Sequence, residues 1–304
     1  MTMKNNAGIE YLPAKTIVTR TRSTAWFGGD YNMNLYRGCC HGCIYCDSRS
    51  ECYGIGDFDR VRAKENALEI VRNDLRRKVK TGVILTGAMS DPYNPYEKEL
   101  ELTRRALELV SAYEFGIGVA TKSDLILRDA GLFQEIKEHS PVLLKITITT
   151  ADDKLSKLVE PGAPSSSRRF EVVRKLSEME LFAGILLMPV LPFLEDSLEN
   201  VLAIVERAAE CGARFIYPAF GMTLRQNQRD YYFQKLDELF PGLSEKYRRQ
   251  YGNSYECRSP QAKRLWTAFS KACDERGILC RMPDIVRAYR LGYGDRQLKS
   301  LFLT

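Results

Sequence analysis

Short apolar runs rich in β-branched residues alternate with longer amphipathic stretches through most of this 304-residue chain. Six runs are predicted to be strands, over residues 31–37, 82–87, 115–121, 142–149, 182–190 and 214–220. Helical patterns lie between them, at 61–78, 97–113, 124–139, 166–180 and 197–211. Strict alternation of this kind is typical of right-handed βαβ units that share one parallel sheet.

The number of repeats indicates the kind of sheet. Six βα units in the α/β class predict a partial (βα)6 barrel of the TIM type, in which functional side chains lie in the loops after the carboxyl ends of the strands. Continuous apolar strands such as GILLMPV suit a sheet that is covered on both faces or closed into a barrel. An open doubly wound sheet is the alternative that the local pattern leaves open.

The strand pattern weakens after Phe220, and the remaining sequence reads as helices rich in Tyr and Phe. We therefore predict an N-terminal segment over residues 1–24, a core barrel over 25–224 and a helical C-terminal extension over 225–304. No Gly-, Ser- or Pro-rich linker precedes the extension. We expect it to pack on the barrel rather than to form a separate domain.

Nine cysteines in a chain without an apolar leader at its start predict ligands, nucleophiles or buried thiols rather than a disulfide framework, because cytoplasmic thiols are kept reduced. The longest apolar stretch, 182–194, is too short to span a bilayer and contains two prolines. A cytoplasmic protein without a membrane span is therefore expected. The net charge of +6 is compatible with an anionic partner, although the basic runs are scattered.

Four of the cysteines lie within eight positions, in the segment LYRGCCHGCIYCD. Cys39, Cys43 and Cys46 have the spacing C-x3-C-x2-C, and three thiolates on one loop can hold three corners of a 4Fe-4S cluster. A structural zinc site would need a second ligand pair further along the chain, which the sequence lacks. A redox dithiol of Cys43 and Cys46 would leave Cys39 unexplained.

With the aromatic Tyr45 before the last cysteine, and with the motif placed after the first strand of a βα series, this loop resembles the radical S-adenosylmethionine superfamily. The segments SDPY at 90–93, TKS at 121–123 and EPGAP at 160–164 further resemble the branch related to spore photoproduct lyase. The resemblance implies a 4Fe-4S cluster on Cys39, Cys43 and Cys46. It also implies S-adenosylmethionine as cosubstrate, with contacts from Tyr45, Ser90, Asp91, Lys122, Thr147, Thr149 and Arg169.

Some of these candidates can also be explained from the residues themselves. Lys122 would add positive charge to the N-terminus of the next helix, so an anionic ligand group such as a carboxylate explains it better than capping does. Thr147 and Thr149 share one face of their strand, where their hydroxyls would reach a ribose or simply pack in the sheet. Arg169 would otherwise form an ion pair with Glu160 that holds the EPGAP loop.

The resemblance implies an enzyme whose cluster receives an electron from an external flavodoxin- or ferredoxin-like carrier and cleaves S-adenosylmethionine to a radical that abstracts hydrogen from a substrate. Two alternatives stay open: a photolyase-like enzyme that acts on DNA or another nucleic acid, and a non-enzymatic iron-sulfur or zinc protein. Spore photoproduct lyase carries a hydrogen-donating cysteine beside its Ser-Asp segment, where this chain has Ala88 and Met89. Thymine-dimer reversal by the same route is therefore not expected.

Three cysteines of the extension, Cys257, Cys273 and Cys280, are spaced too loosely to predict a second cluster from the sequence. Buried thiols are the commoner outcome for such positions. They are nonetheless the places where an additional cluster or a replacement hydrogen donor would be sought.

Overall fold

The computed structural model describes residues 8–293, so the predicted N-terminal segment and the predicted C-terminal extension each lie partly outside the described residues. The strands are β1 (Glu10–Leu12), β2 (Val18–Arg20), β3 (Tyr31–Met33), β4 (Tyr36–Arg37), β5 (Arg62–Lys64), β6 (Val83–Thr86), β7 (Gly116–Thr121), β8 (Val142–Thr147), β9 (Ala183–Leu187), β10 (Ile216–Pro218), β11 (Gly221–Thr223) and β12 (Glu256–Arg258).

The α-helices are α1 (Ala67–Arg76), α2 (Glu97–Leu100), α3 (Leu102–Ala112), α4 (Ala130–Lys137), α5 (Asp153–Val159), α6 (Ser166–Glu178), α7 (Leu198–Glu210), α8 (Gln228–Leu239), α9 (Leu243–Tyr251), α10 (Ala262–Glu275) and α11 (Met282–Arg290). Short 3-10 helices cover Asp47–Arg49, Glu51–Tyr53 and Asp124–Asp129.

Seven strands form the main sheet, in the order β10-β9-β8-β7-β6-β3-β2. From β3 to β10 each strand is parallel to its neighbour, and the order follows the chain without reversal. A doubly wound sheet reverses its order at a switch point, so this order identifies a singly wound partial barrel. The predicted α/β class with a partial (βα)6 barrel is confirmed, and β2 adds one antiparallel strand at its edge.

Short strands are where the sequence pattern fails. The run 31–37, predicted as one strand, forms β3 in the main sheet and β4 in a separate three-stranded sheet with β5 and β1. The predicted helix 61–78 begins as β5 and becomes helical only at Ala67. Runs of two or three residues are too short for a period of two to be told from a helical pattern.

Three further differences concern helices. The predicted helix 97–113 is interrupted at Glu101, whose φ is 48°, and continues as α3. Helix α5 was not predicted, because it spans only two turns. The extension, predicted to be helical, also contains the strand β12, which pairs antiparallel with β11 at the end of the predicted core.

Alternate residues of the parallel strands face two different cores. Outward residues such as Ile84, Leu144 and Ile185 pack against the helices. Inward residues form a separate cluster with the side chains that precede β3 and those of α11: Phe27, Val83, Leu85, Leu143, Leu186, Phe215, Ile285 and Tyr289. This inner cluster fills much of the barrel interior.

The side of the barrel between its two edge strands, β10 and β2, has no strand-to-strand pairing among the described residues, apart from an isolated parallel bridge between Phe215, next to β10, and Leu279. Aromatic side chains lie across it instead, with the Phe27 ring 5.2 Å from that of Tyr217 and 6.0 Å from that of Phe215. Trp26 stands edge-on to Tyr217 at 5.5 Å. The barrel is therefore completed on this side by side chains, which we call the aromatic seam (Trp26, Phe27, Phe215 and Tyr217).

The C-terminal elements cover both ends of the barrel. At the carboxyl end of the strands, Gln228 of α8 donates a hydrogen bond to the carbonyl of Tyr45 at 2.8 Å. At the amino end, Tyr289 of α11 donates to the carbonyl of Phe27 at 2.8 Å. No helix within residues 8–293 is both long and apolar enough to cross a membrane.

Candidate functional site

The cysteine loop, residues 38–47, lies between β4 and the first 3-10 helix and packs against the EPGAP loop. Two glycines give it its shape, because Gly38 and Gly42 have φ of 82° and 67°. A Cβ on Gly38 would stand 2.4 Å from the carbonyl oxygen of Arg60. The amide of Gly162 donates to the carbonyl of His41 at 2.8 Å, which ties the two loops together.

The three predicted ligands, Cys39, Cys43 and Cys46, are free thiols within electrostatic reach of one another. Burial raises the pKa of Cys39 to about 12 and also raises the pKa values of the other two thiols. Hydrogen bonds from the backbone of His41 and Asp91 to Cys39 act in the opposite direction. A cationic centre bound among these sulfurs would stabilise them as thiolates.

The donor set fits a cluster better than a single ion. Within residues 8–293, no three His, Cys, Asp or Glu side chains converge on a point that one metal ion could occupy. A structural zinc ion needs four ligands around one centre, whereas each cysteine of a 4Fe-4S cluster binds a different iron. Three thiols on one loop, with backbone hydrogen bonds to sulfur, match the second requirement.

Asp91 and Ser90, which follow β6, connect the cysteine loop with the end of β7. Asp91 accepts hydrogen bonds from Thr121 Oγ1 at 2.6 Å and from the Lys122 amide at 2.9 Å. Ser90 donates its hydroxyl to the carbonyl of Gly38. In this structure both side chains thus hold the cysteine loop and the TKS segment in place, and their predicted contact with S-adenosylmethionine stays a prediction.

His41 is held at the same point. Its Nδ1 lies 3.4 Å from Asp91 Oδ2, and burial is the main cause that lowers its pKa. Through this contact with Asp91, His41 helps to hold the cysteine loop in place.

Glu160 is the centre of a buried charge network that the sequence indicated only as an ion pair. It accepts hydrogen bonds from the Tyr45 hydroxyl and from Arg169, and both Glu160 and Arg169 are fully buried. Lys122 Nζ lies 3.8 Å from Glu160 Oε1 and 5.5 Å from the centre of the Tyr45 ring. Three predicted site residues therefore meet at one carboxylate.

The charges in this network are balanced. Burial alone would raise the pKa of Glu160, but Arg169 and Lys122 hold it below its ordinary value. Burial alone would lower the pKa of Lys122, but Cys43 and Glu160 raise it. The charged form of Lys122 is therefore favoured beside the cysteine loop.

Arg169 is enclosed by its partners. It donates to the carbonyl of Thr147 at 2.7 Å and to the hydroxyl of Ser156 at 2.7 Å, in addition to Glu160. These bonds position the end of β8 against the EPGAP loop. The pairing with Glu160 is confirmed, while a direct contact of Arg169 with the cosubstrate stays a prediction.

The two threonines at the end of β8, Thr147 in the strand and Thr149 after it, differ in their surroundings. Thr149 is fully buried and donates to Glu195 Oε1 at 2.7 Å, while the other oxygen of Glu195 accepts from the Leu191 amide at 2.9 Å. Thr147 retains slight exposure at the barrel mouth. Glu195, whose pKa burial raises to about 8, was not predicted, because nothing in its local sequence shows that Thr149 lies opposite.

The cysteines of the extension do not meet as a trio. Cys257 packs in the cluster that contains Tyr232 and Tyr247, whereas Cys273 and Cys280 belong to the outer core. Residues 8–293 contain no further group of side chains that could bind a metal ion. Buried thiols are thus the observed outcome for all three.

The profile of the Radical SAM superfamily matches residues 33–205, which is more than half of the chain and includes the cysteine loop, the TKS segment and the Glu160 network. The chain belongs to the radical SAM superfamily. Proteins of this superfamily are enzymes that bind a 4Fe-4S cluster and S-adenosylmethionine, and the three thiols described above fit the cluster.

Relatives of known sequence come from distant organisms. The chain is 28% identical over 244 residues to an uncharacterized protein of Mycobacterium tuberculosis, and the alignment covers 78% of this chain and 72% of that protein. It is 34% identical over 172 residues to an uncharacterized protein of Methanocaldococcus jannaschii, and the alignment covers 56% of this chain and 63% of that protein.

Solved structures confirm the fold. Spore photoproduct lyase complexed with dinucleoside spore photoproduct matches with a TM-score of 0.65 and 15% identity, over 88% of this chain and 80% of that one. The radical S-adenosylmethionine methyltransferase TsrM from Kitasatospora setae, with cobalamin and a [4Fe-4S] cluster bound, matches with a TM-score of 0.55 and 13% identity, over 88% and 58%. The likeness to spore photoproduct lyase is thus confirmed at the level of the fold.

Proposed function

We propose that this radical SAM enzyme binds a 4Fe-4S cluster through Cys39, Cys43 and Cys46 and uses it to cleave S-adenosylmethionine reductively. When bound, the two cofactors supply a 5′-deoxyadenosyl radical that abstracts hydrogen from a substrate. The observation that carries the proposal is that Lys122, a partly buried lysine whose charged form is favoured, lies within electrostatic reach of the Cys43 and Cys46 thiols at the mouth of a partial barrel.

The chain's own residues have distinct roles in this proposal. Lys122 binds the carboxylate of S-adenosylmethionine, while Asp91 fixes the backbone from which Lys122 extends. Glu160 keeps Lys122 charged and oriented, and Arg169 keeps Glu160 ionised. Tyr45, Ser90, Thr147 and Thr149 complete the predicted contacts around the cosubstrate.

The electron comes from an external one-electron carrier of the flavodoxin or ferredoxin kind. The chain offers no second metal site of its own among the described residues from which that electron could come. The substrate, including the nucleic-acid alternative, is not fixed by the residues of the cysteine loop or the TKS segment.

The test is electron paramagnetic resonance on anaerobically reconstituted, dithionite-reduced protein, with and without S-adenosylmethionine. We expect a 4Fe-4S signal that changes when S-adenosylmethionine is added, together with 5′-deoxyadenosine in the reaction mixture. Cys43→Ala should lose both, whereas Cys211→Ala, which removes a half-buried thiol after α7, should keep both. A cluster signal indifferent to S-adenosylmethionine would refute the proposal.

A further inference from the structure

Lys145 is a buried lysine in the middle of β8, on the strand face that looks into the barrel. Its neighbours across the sheet are Ala120 on β7 and Gly184 on β9. The Phe27 ring centre lies 5.1 Å from its Nζ, and a Cβ on Gly118 would stand 3.2 Å from the same atom. The amine therefore ends inside the barrel, between β7 and the aromatic seam.

This amine has no polar partner. Its residue is 2% exposed, and Nζ forms no hydrogen bond or ion pair with any residue in the described range 8–293. Burial alone lowers the pKa of Lys145 to about 7. Buried charged groups in proteins are nearly always paired, so an unpaired one beside a reaction chamber indicates a partner that arrives with a ligand.

The inner face beside Lys145 is packed on one side and partly accessible on the other. Lys145 is flanked there by Gly118, Ala120 and Gly184, and the space over the two glycines is filled by Leu85 and Phe215, which would each stand 2.4 Å from an added Cβ. Ala120, which is level with Lys145, and Met188 and Tyr217, which lie nearer the mouth, pack against the inner cluster but remain partly accessible to solvent. In a barrel whose interior is packed solid these positions would be fully buried, so solvent reaches the space above Lys145.

An amine at the base of an apolar, aromatic-lined space recognises an oxyanion, because a charge-assisted hydrogen bond there is strong and the ring faces accept an apolar or planar body. We propose that Lys145 binds an acidic group, a carboxylate or a phosphate, of the molecule from which the enzyme abstracts hydrogen. This assignment rests on the function proposed above and adds to it the class of substrate: an amphipathic acid whose apolar part lies along Phe27 and Tyr217.

Lys122 and Lys145 would then each bind a different anion. Lys122, at the end of β7, already has Glu160 at 3.8 Å and belongs to the cofactor end of the site. Lys145 lies deeper along its strand, before Thr147, and has no anion. The cosubstrate carboxylate and the substrate oxyanion are thus expected at different depths of the same barrel.

The test observes the amine directly in the full-length protein labelled with ¹³Cε-lysine. The Lys145 signal is assigned by its loss in Lys145→Met, and benzoate, phenyl phosphate and benzyl alcohol are titrated at constant chloride. We expect a saturable shift of the Lys145 signal with benzoate or with phenyl phosphate, and none with benzyl alcohol, which shares the ring but lacks the charge. The anion that binds more tightly distinguishes a carboxylate from a phosphate.

Two variants complete the experiment. By ligand-observed saturation transfer, Lys145→Met should weaken binding of that anion by at least about tenfold, the loss expected for one charge-assisted hydrogen bond, and Lys145→Arg should restore part of it. Lys122→Met should leave the response of Lys145 intact. A Lys145 signal that moves with neither anion, or only as much as the other lysines do, would overturn the assignment.

Failure of this assignment and failure of the proposed function give different results. Cleavage of S-adenosylmethionine is measured on the same preparation of wild-type protein after reconstitution. An enzyme that forms 5′-deoxyadenosine but whose Lys145 ignores both anions contradicts the role of Lys145 only. A Lys145 that binds an anion in a protein that never cleaves S-adenosylmethionine contradicts the proposed reaction.

Discussion

The mouth of the barrel and its interior each contain a lysine, one directly after β7 and the other on the neighbouring strand β8, yet the surroundings of the two amines are opposite. Lys122 at the mouth is surrounded by Glu160, Tyr45 and the thiols, and its pKa is raised. Lys145 in the interior lies beside the Phe27 ring and has no hydrogen-bond or ion-pair partner within residues 8–293, and burial lowers its pKa to about 7. The mouth is organised before any ligand binds, whereas the interior contains a charge still without its counterpart.

The largest expected effect comes from removing the Glu160 carboxylate, which Lys122 and Arg169 share at the mouth of the barrel. Glu160→Gln leaves Arg169 buried without a counter-ion and deprives Lys122 of its carboxylate, so we expect a loss of roughly 5 kcal/mol in the free energy of unfolding, the upper end for a broken buried pair. Urea unfolding of the full-length protein measures it. Glu171→Gln, whose pair with Arg174 is on the surface, should lose less than about 1 kcal/mol. Equal losses in the two variants would contradict a special role for Glu160.

Removing the unpaired amine should stabilise the interior. Lys145→Met keeps the length of the side chain but removes the charge, and we expect a gain of about 4 kcal/mol at pH 7 in the free energy of unfolding. Because the pKa is 10.5 in the unfolded chain and about 7 in the fold, the unfolded chain binds more protons between these values. The gain should therefore shrink as pH rises from 7 and vanish above 10.5.

The measurement for Lys145→Met is urea unfolding at several pH values beside wild-type protein. Lys122→Met is the matched control, since that lysine is paired and its removal should not stabilise the fold. An interior variant that is no more stable than wild type would mean that Lys145 has a partner in solution.

The affinity for S-adenosylmethionine should also distinguish the two lysines. Lys122→Met should weaken the affinity for S-adenosylmethionine by about 10- to 100-fold, as expected when a charge-assisted hydrogen bond is lost, and Lys145→Met should leave it unchanged. Equilibrium dialysis with labelled S-adenosylmethionine on anaerobically reconstituted protein measures both. If both variants lost affinity alike, one anion site rather than two would occupy the barrel.

The smallest expected effect concerns a single hydrogen bond at the mouth. Tyr45→Phe removes a donor from Glu160 while Arg169 and Lys122 remain, so stability should fall by only about 1 kcal/mol. Tyr53→Phe, which removes a more exposed bond to Asp47, is the control. A loss as large as that of Glu160→Gln would show that Tyr45, not Arg169, keeps Glu160 ionised.

The features of the fold and of the site that could be predicted from the sequence are those that depend on a local pattern of residues. The six parallel strands appear as apolar runs, and the three cysteines predicted to bind the cluster appear as a spacing, because both depend on residues within one segment. The role of Glu160 was indicated in part, since its partner Arg169 lies only nine positions away.

The parts that were missed depend on register between distant segments. Lys145 stands alone only because β7 and β9 place Ala120 and Gly184 beside it, and Glu195 is buried only because it meets Thr149, 46 positions earlier. The antiparallel strand β2 and the pair of β11 and β12 are three residues long and have no readable period. Contacts of this kind become visible only when the strands are aligned.

The aromatic seam has a consequence for how relatives of this protein could differ. Where strands close a barrel, its diameter changes only by whole strands and by the stagger between them. Here Phe27 and Trp26 meet Tyr217 through ring contacts, so the width of the chamber depends on the volume of a few side chains. Exchanging one ring for a smaller side chain would enlarge the chamber without disturbing a single main-chain hydrogen bond of the sheet, so substrate size can drift among relatives while the cofactor end stays the same.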